Sequence, residues 1–197
     1  MRRLAPLLLA VAVSACGLQA PQQEESAEPA SAAAPQRDLS IGPNGAGGIG
    51  EALPMDVNLV RAAVPHFTVA QTQEAEGGAE TITLSADGQE VFRLYPSDDN
   101  RHVRWIATRS ALARGPADDV VGEVTFAVAP PQQVSFCEAE AVNDLPGFAC
   151  STGPGASFWR VYQLPEGYDG PSDTFEAIDP DVLHDATLAE MRWLAPD

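Results

Sequence analysis

Three cysteines, a run of carboxylates and three histidines are the residues on which chemistry could rest. Cys16 follows Ser14 and Ala15, two small residues that let a peptidase approach the backbone, and its thiol is placed to take up a diacylglycerol before cleavage. Cys137 and Cys150 form an even pair. Twelve residues lie between them, too many for the C-x-x-C spacing of a redox-active or metal-binding pair, so in an exported chain the two are expected to be bonded. Glu166, Asp169, Asp173, Glu176, Asp179, Asp181 and Asp185 offer oxygen atoms of the kind Ca²⁺ uses, but their spacing does not fit an EF-hand loop. The reading of this run is a solvated loop, with a divalent-cation site across 166–185 as an alternative. His66, His102 and His184 are scattered and pair with no second ligand at helical spacing, so no metal site is expected from them.

Other chemistry is missing from the pattern. There is no Gly-x-Ser-x-Gly elbow and no Gly-x-x-x-x-Gly-Lys phosphate loop. Residues Gly45 to Gly50 partly match a dinucleotide fingerprint, but they follow a flexible stretch where that motif needs a strand. No cofactor is expected.

The chain opens with Arg2 and Arg3, an apolar run from Leu4 to Val13, and then Ser14-Ala15-Cys16. A span needs about 20 apolar residues, so this half-length run containing Pro6 reads as a secretory signal over residues 1–15. The order of small residues before Cys16 resembles the lipobox of bacterial lipoproteins, which makes Cys16 the expected lipidation site and the lipid membrane a partner through its acyl chains. By its resemblance to the sorting signal of bacterial lipoproteins, Gly17 in place of aspartate implies the outer membrane, with the chain expected to face the periplasm.

The elements that follow must present whatever function the anchored chain has. Residues 16–47 are rich in Ala, Pro, Gln, Glu, Ser and Gly and poor in large apolar side chains, so they read as a disordered tether. Residues 48–197 have the composition of one globular domain. Apolar spacing from Met55 to Val64, ending at Pro65, predicts a helix, and β-forming runs at 66–70, 80–84, 91–95 and 103–107 predict strands, with Asp87-Gly88 as a hairpin turn. The second half repeats this order by residue type: 91–95 matches 158–162, and 103–107 matches 191–195. The offset grows from 67 at Phe92 to 88 at Trp105, which places an insertion near 166–185. The expectation is an α+β domain, rich in antiparallel sheet, built of two helix-plus-strands repeats at about 48–110 and 115–197.

The chain resembles the sigma-E-regulated envelope lipoprotein family. The residues that carry this are Gly48-Ile49-Gly50-Glu51 before the first helix, Ile106 to Ser110 followed by Gly115, and Gly122 before an apolar start. To these add the Cys137 and Cys150 pair, the Gly170-Pro171-Ser172-Asp173 turn and the closing Met191-Arg192-Trp193. The resemblance covers about 48–194 and implies an envelope location and an association with envelope stress. It supplies no catalytic residues.

The formal charge of −17 deepens by two when Arg2 and Arg3 leave with the signal, and the chain has no lysine. So acidic a surface repels nucleic acid and anionic headgroups. The expected function is therefore non-enzymatic binding of a periplasmic protein through a sheet face or the 166–185 loop. Trp159, Tyr162 and Tyr168 are the candidate contact residues, because Trp, Tyr and Arg anchor interfaces disproportionately. The competing class is a periplasmic hydrolase or cell-wall enzyme, which needs two carboxylates in one pocket with their pKa values driven apart.

Overall fold

A computed structural model of the protein describes residues 37–73, 78–142 and 144–196. The signal, Cys16 and most of the expected tether lie outside the described residues. In chain order the elements are β1 (Ile41–Gly42), β2 (Gly45–Ala46), α1 (Val57–Ala63), β3 (Thr68–Gln73), β4 (Glu80–Ala86), β5 (Gln89–Pro96) and β6 (Val103–Thr108). There follow β7 (Phe136–Val142), β8 (Leu145–Ser151), β9 (Phe158–Gln163), α2 (Pro180–Asp185) and β10 (Thr187–Leu194).

Strands β3 to β10 form one antiparallel sheet in the order β3-β4-β5-β6-β10-β9-β8-β7. It is two four-strand meanders, β3–β6 and β7–β10, joined where β6 pairs with β10. This overturns the α+β expectation of repeated helix-plus-strands units. Among the described residues the α-helices are the short α1 and α2, and the segment near Gly122 to Val128 gives only a 3₁₀ turn at Phe126–Val128 before Pro130 and Pro131. What recurs is a run of strands, and the residue-by-residue match does not survive. Trp105 pairs across to Leu194 while Trp193 pairs to Ile106, so the two matched tryptophans point to opposite faces. Arg93 and Arg160 likewise fall on opposite faces, because a one-residue slip in a strand reverses every side chain.

One face of the sheet is covered. Ile82, Leu84, Phe92, Leu94, Ile106, Phe148, Tyr162, Met191 and Trp193 form a buried core with Ile41, Ala46, Ile49, Val60 and Val64. Residues 37–47, expected as tether, therefore pack with the domain. Arg37 donates to His66 O at 2.8 Å and to Asp87 Oδ1 at 2.7 Å, and Ile41 N–H donates to Arg114 O at 3.0 Å. The glycines that suggested flexibility build a tight hairpin. Gly45 has φ of 143°, and a Cβ there would lie 2.2 Å from Ile49 O.

Two features of the core matter below. Arg160 and Asp119, 1 % and 2 % exposed, form a buried ion pair at 2.7 Å on the covered face. Tyr162 packs against Phe126 and Phe148, which in turn meets Phe175, and its hydroxyl is sealed from solvent with no hydrogen-bond partner among the described residues. Burial, opposed by Arg160 and helped by Asp119, pushes the phenol well above its ordinary value of 10.0. A group whose folded pKa is raised contributes stability that is intact below its unfolded pKa and lost as pH climbs past it. Tyr162→Phe should thus match or exceed wild-type stability at neutral pH by up to about 1 kcal/mol, since an unpaired buried hydroxyl is removed. Urea midpoints taken across pH 7 to 11 should show the variant losing less above pH 10; equal alkaline losses would contradict the buried, unpaired phenol.

Candidate functional site

The second face of the sheet lies away from the main buried core. Its small apolar cluster, Val142, Ala149 and Val161 with Trp159 and Ala189, comes from the strands alone. The register sets what this open face presents: Thr83, Arg93, Ala107, Arg192 and Trp159 stand side by side across β4, β5, β6, β10 and β9. Tyr95 and Trp105 sit one step along β5 and β6 and stack with ring centroids 4.7 Å apart and planes 12° apart. Phe136 on β7 meets Trp159 edge to face at 5.8 Å, and the Trp159 indole N–H donates to Ala156 O at 2.9 Å. All four rings are half-buried, so each keeps an accessible part on a face that strand alternation holds rigid.

Between the aromatic pairs runs a chain of charges. Arg93 grips Glu90 with two hydrogen bonds of 2.9 and 2.8 Å. Arg192 grips Glu140 through Nη1 at 3.0 Å and Nη2 at 2.6 Å, and its Nε donates to Glu190, which also accepts from Arg109 Nε at 2.5 Å. A bulge in β10 between Leu188 and Glu190 is what brings this carboxylate to the open face while Leu188 and Met191 stay in the core. Burial alone would lower the Arg192 pKa, but Glu140 and Glu190 together hold it above its ordinary value. The Glu190 side chain is 3 % exposed against 24 % for Arg192, so the carboxylate is the buried hub and the guanidinium the accessible tip. Paired arginines locked in bidentate geometry lose little freedom on binding, which suits them to recognition.

The expected contact residues divide. Trp159 lies on the open face, Tyr162 is wholly buried in the core, and Tyr168 is half-buried with its hydroxyl donating to Pro171 O at 2.8 Å. Tyr162 is thus a packing residue, since it points to the covered side. Arg93, Tyr95, Trp105 and Arg192 lie on strands whose arginine–aromatic pattern is legible in the sequence and makes them contact candidates, but the face each takes, and its meeting with Phe136, Glu90, Glu140 and Glu190, follows from register. Cys137 and Cys150 stand directly opposite each other in the β7–β8 ladder with Cα atoms 4.2 Å apart, and they are disulfide-bonded.

The other chemistry weighed from sequence finds no convergent geometry. The seven carboxylates of 166–185 are all exposed, Asp179 is occupied as the N-cap of α2, and among the described residues no group of three or more His, Cys, Asp or Glu could hold a metal. One cavity brings Glu140, Asp144 and Asp173 to its lining, with Glu140 held by Arg192 and both aspartates exposed; another brings together Asp56 and Glu80. Both are exposed and engaged: Asp56 accepts from the N–H groups of Asn58 and Leu59 as the cap of α1, and Glu80 accepts from Gln71 at 3.0 Å. Among the described residues no helix is long and apolar enough to cross a membrane.

No protein-family model matches the chain, and no curated protein matches it by sequence. Among solved structures it is similar in fold to the uncharacterized protein yfeY from Escherichia coli. The match has a TM-score of 0.54 and 12 % identity and covers 79 % of this chain and 99 % of that one.

Proposed function

We propose that the protein is a lipoprotein of the bacterial cell envelope, anchored by acyl chains on Cys16, facing the periplasm from the outer membrane, and acting by binding a periplasmic protein. The finer reading, membership of the sigma-E-regulated envelope lipoprotein family with a part in envelope stress, rests on the motif resemblance over 48–194. The observation that carries the binding role is the open sheet face, where Tyr95, Trp105, Phe136 and Trp159, each partly accessible, flank a locked arginine–glutamate chain. Partly accessible aromatic and arginine residues held rigid are the composition of interface hot spots. The order Arg2-Arg3, Leu4 to Val13, Ser14-Ala15-Cys16 supports export and anchoring.

Crosslinking in intact envelopes followed by affinity capture tests the binding role. Trp105→Ala combined with Trp159→Ala should weaken capture of the specific partner by about 30-fold, as truncating a hot spot costs about 2 kcal/mol. Circular dichroism should show the sheet intact. Capture at wild-type yield by the folded double variant would remove the open face as the binding surface.

A further inference from the structure

We propose that the covered side of the sheet holds a second, separate binding site: a cavity floored by Arg160 that takes an uncharged amide group of a small molecule. The cavity, about 480 Å³, lies within the range of small-molecule sites. Pro43, Pro116 and Phe158 contribute apolar wall, and Gln133, Thr152 and Arg160 contribute polar lining.

The argument starts from donor accounting. An arginine carries five N–H donors and no acceptor. Arg160 Nε donates to Asp119 Oδ2 at 2.9 Å, and Nη2 lies 2.7 Å from the same oxygen and donates also to Gln133 Oε1. Nη1 has no protein partner among the described residues. It is not sealed off, because the Tyr162 hydroxyl is the single buried and unpartnered side-chain polar atom among them. A guanidinium 1 % exposed therefore keeps two donors turned to accessible space where its side chain lines the cavity.

Charge then chooses the ligand class. Asp119 already neutralises Arg160, so a carboxylate or phosphate entering the cavity would leave one net negative charge in a desolvated site. A neutral carbonyl oxygen accepts from Nη1 without that cost. The Phe158 ring, whose centroid lies 4.9 Å from the guanidinium carbon, and Pro116 offer flat apolar surface for the rest of an amide. The floor is also rigid. A Cβ on Gly115 would lie 2.7 Å from both Asp119 Cβ and Met191 Sδ, so the turn that carries Asp119 is pressed against β10. Amides of this kind come from acetamido sugars or from peptides, and the cavity chemistry is shared by both.

The experiment is an amide-resonance titration of the folded protein with N-acetylglucosamine, with N-acetylalanine methylamide, and with acetate. Saturable shifts confined to residues 115–119, 133, 152 and 157–160 are expected with at least one of the two amides, and whichever binds tighter identifies the source. Ala156→Trp, which fills the cavity without touching the ion pair, should weaken that binding at least 10-fold. Leu145→Ala, an exposed side chain outside the cavity, should retain it within about threefold. Absence of saturable shifts with both amides, tighter binding of acetate, or binding undiminished in Ala156→Trp would each overturn the site. The open face on the opposite side of the sheet plays no part in this readout.

Discussion

Asp119→Ala is expected to cost about 3–5 kcal/mol of folding free energy, among the largest effects of any single substitution in the described chain. The reason is asymmetry. Arg160 is held by β9 between Cys150 and Met191 in the register, so removing its counter-charge leaves an almost wholly buried guanidinium with Gln133 as its remaining side-chain partner among the described residues. Because both partners are 3 % or less exposed, added salt should barely change the loss, unlike a surface pair. Equilibrium unfolding in urea at low and high ionic strength measures both quantities. The paired replacement Asp119→Leu with Arg160→Met should recover most of the loss, since an apolar pair pays no desolvation cost. A loss below about 1 kcal/mol for Asp119→Ala, or no recovery in the pair, would show that the ion pair is not the buried, mutually dependent unit described.

That pair also shows where sequence reading reaches its limit. The first meander was legible because its signals are local: alternation over 80–84 and 91–95, and Asp87-Gly88, which adopt φ of 52° and 81° as a tight hairpin turn requires. Strand β8 was hidden by Pro146 and Gly147, residues that ordinarily argue against an inner strand. Gly147 is there because a Cβ would lie 2.5 Å from Tyr162 O and 2.8 Å from Val142 Cγ2. The short apolar content of 37–49 concealed its packing, since Ile41, Ala46 and Ile49 are few but all buried. Arg-aromatic pairs read as a repeat by type, yet period-two geometry made Arg160 a core residue and Arg192 a surface one. Which arginine serves a face is a property of register, and register is set by neighbours distant in sequence. The bulge that delivers Glu190 between Arg109 and Arg192 is non-local in the same sense.

Cys16→Ser is expected to move the protein from the membrane pellet to the soluble fraction or leave it with an uncut leader. Each buried methylene of an acyl chain contributes about 0.8 kcal/mol, and stable anchoring needs more than one chain, so losing all of them abolishes retention. Mass analysis of the exported wild-type protein should find a terminus at Cys16 heavier than the bare peptide by its diacylglycerol, and the variant should lack that mass. The same export fixes a second, independent outcome at Cys137 and Cys150. Whole cells lysed under denaturing conditions with a thiol alkylator should show neither residue labelled until a reductant is added, because an oxidising compartment preserves the bond that the β7–β8 register allows. The two readouts separate the claims: an unmodified terminus with the bond intact would place the protein outside the cytosol but free of the membrane. A labelled pair with an uncut leader would withdraw export itself, and with it the periplasmic partner assigned to the open face.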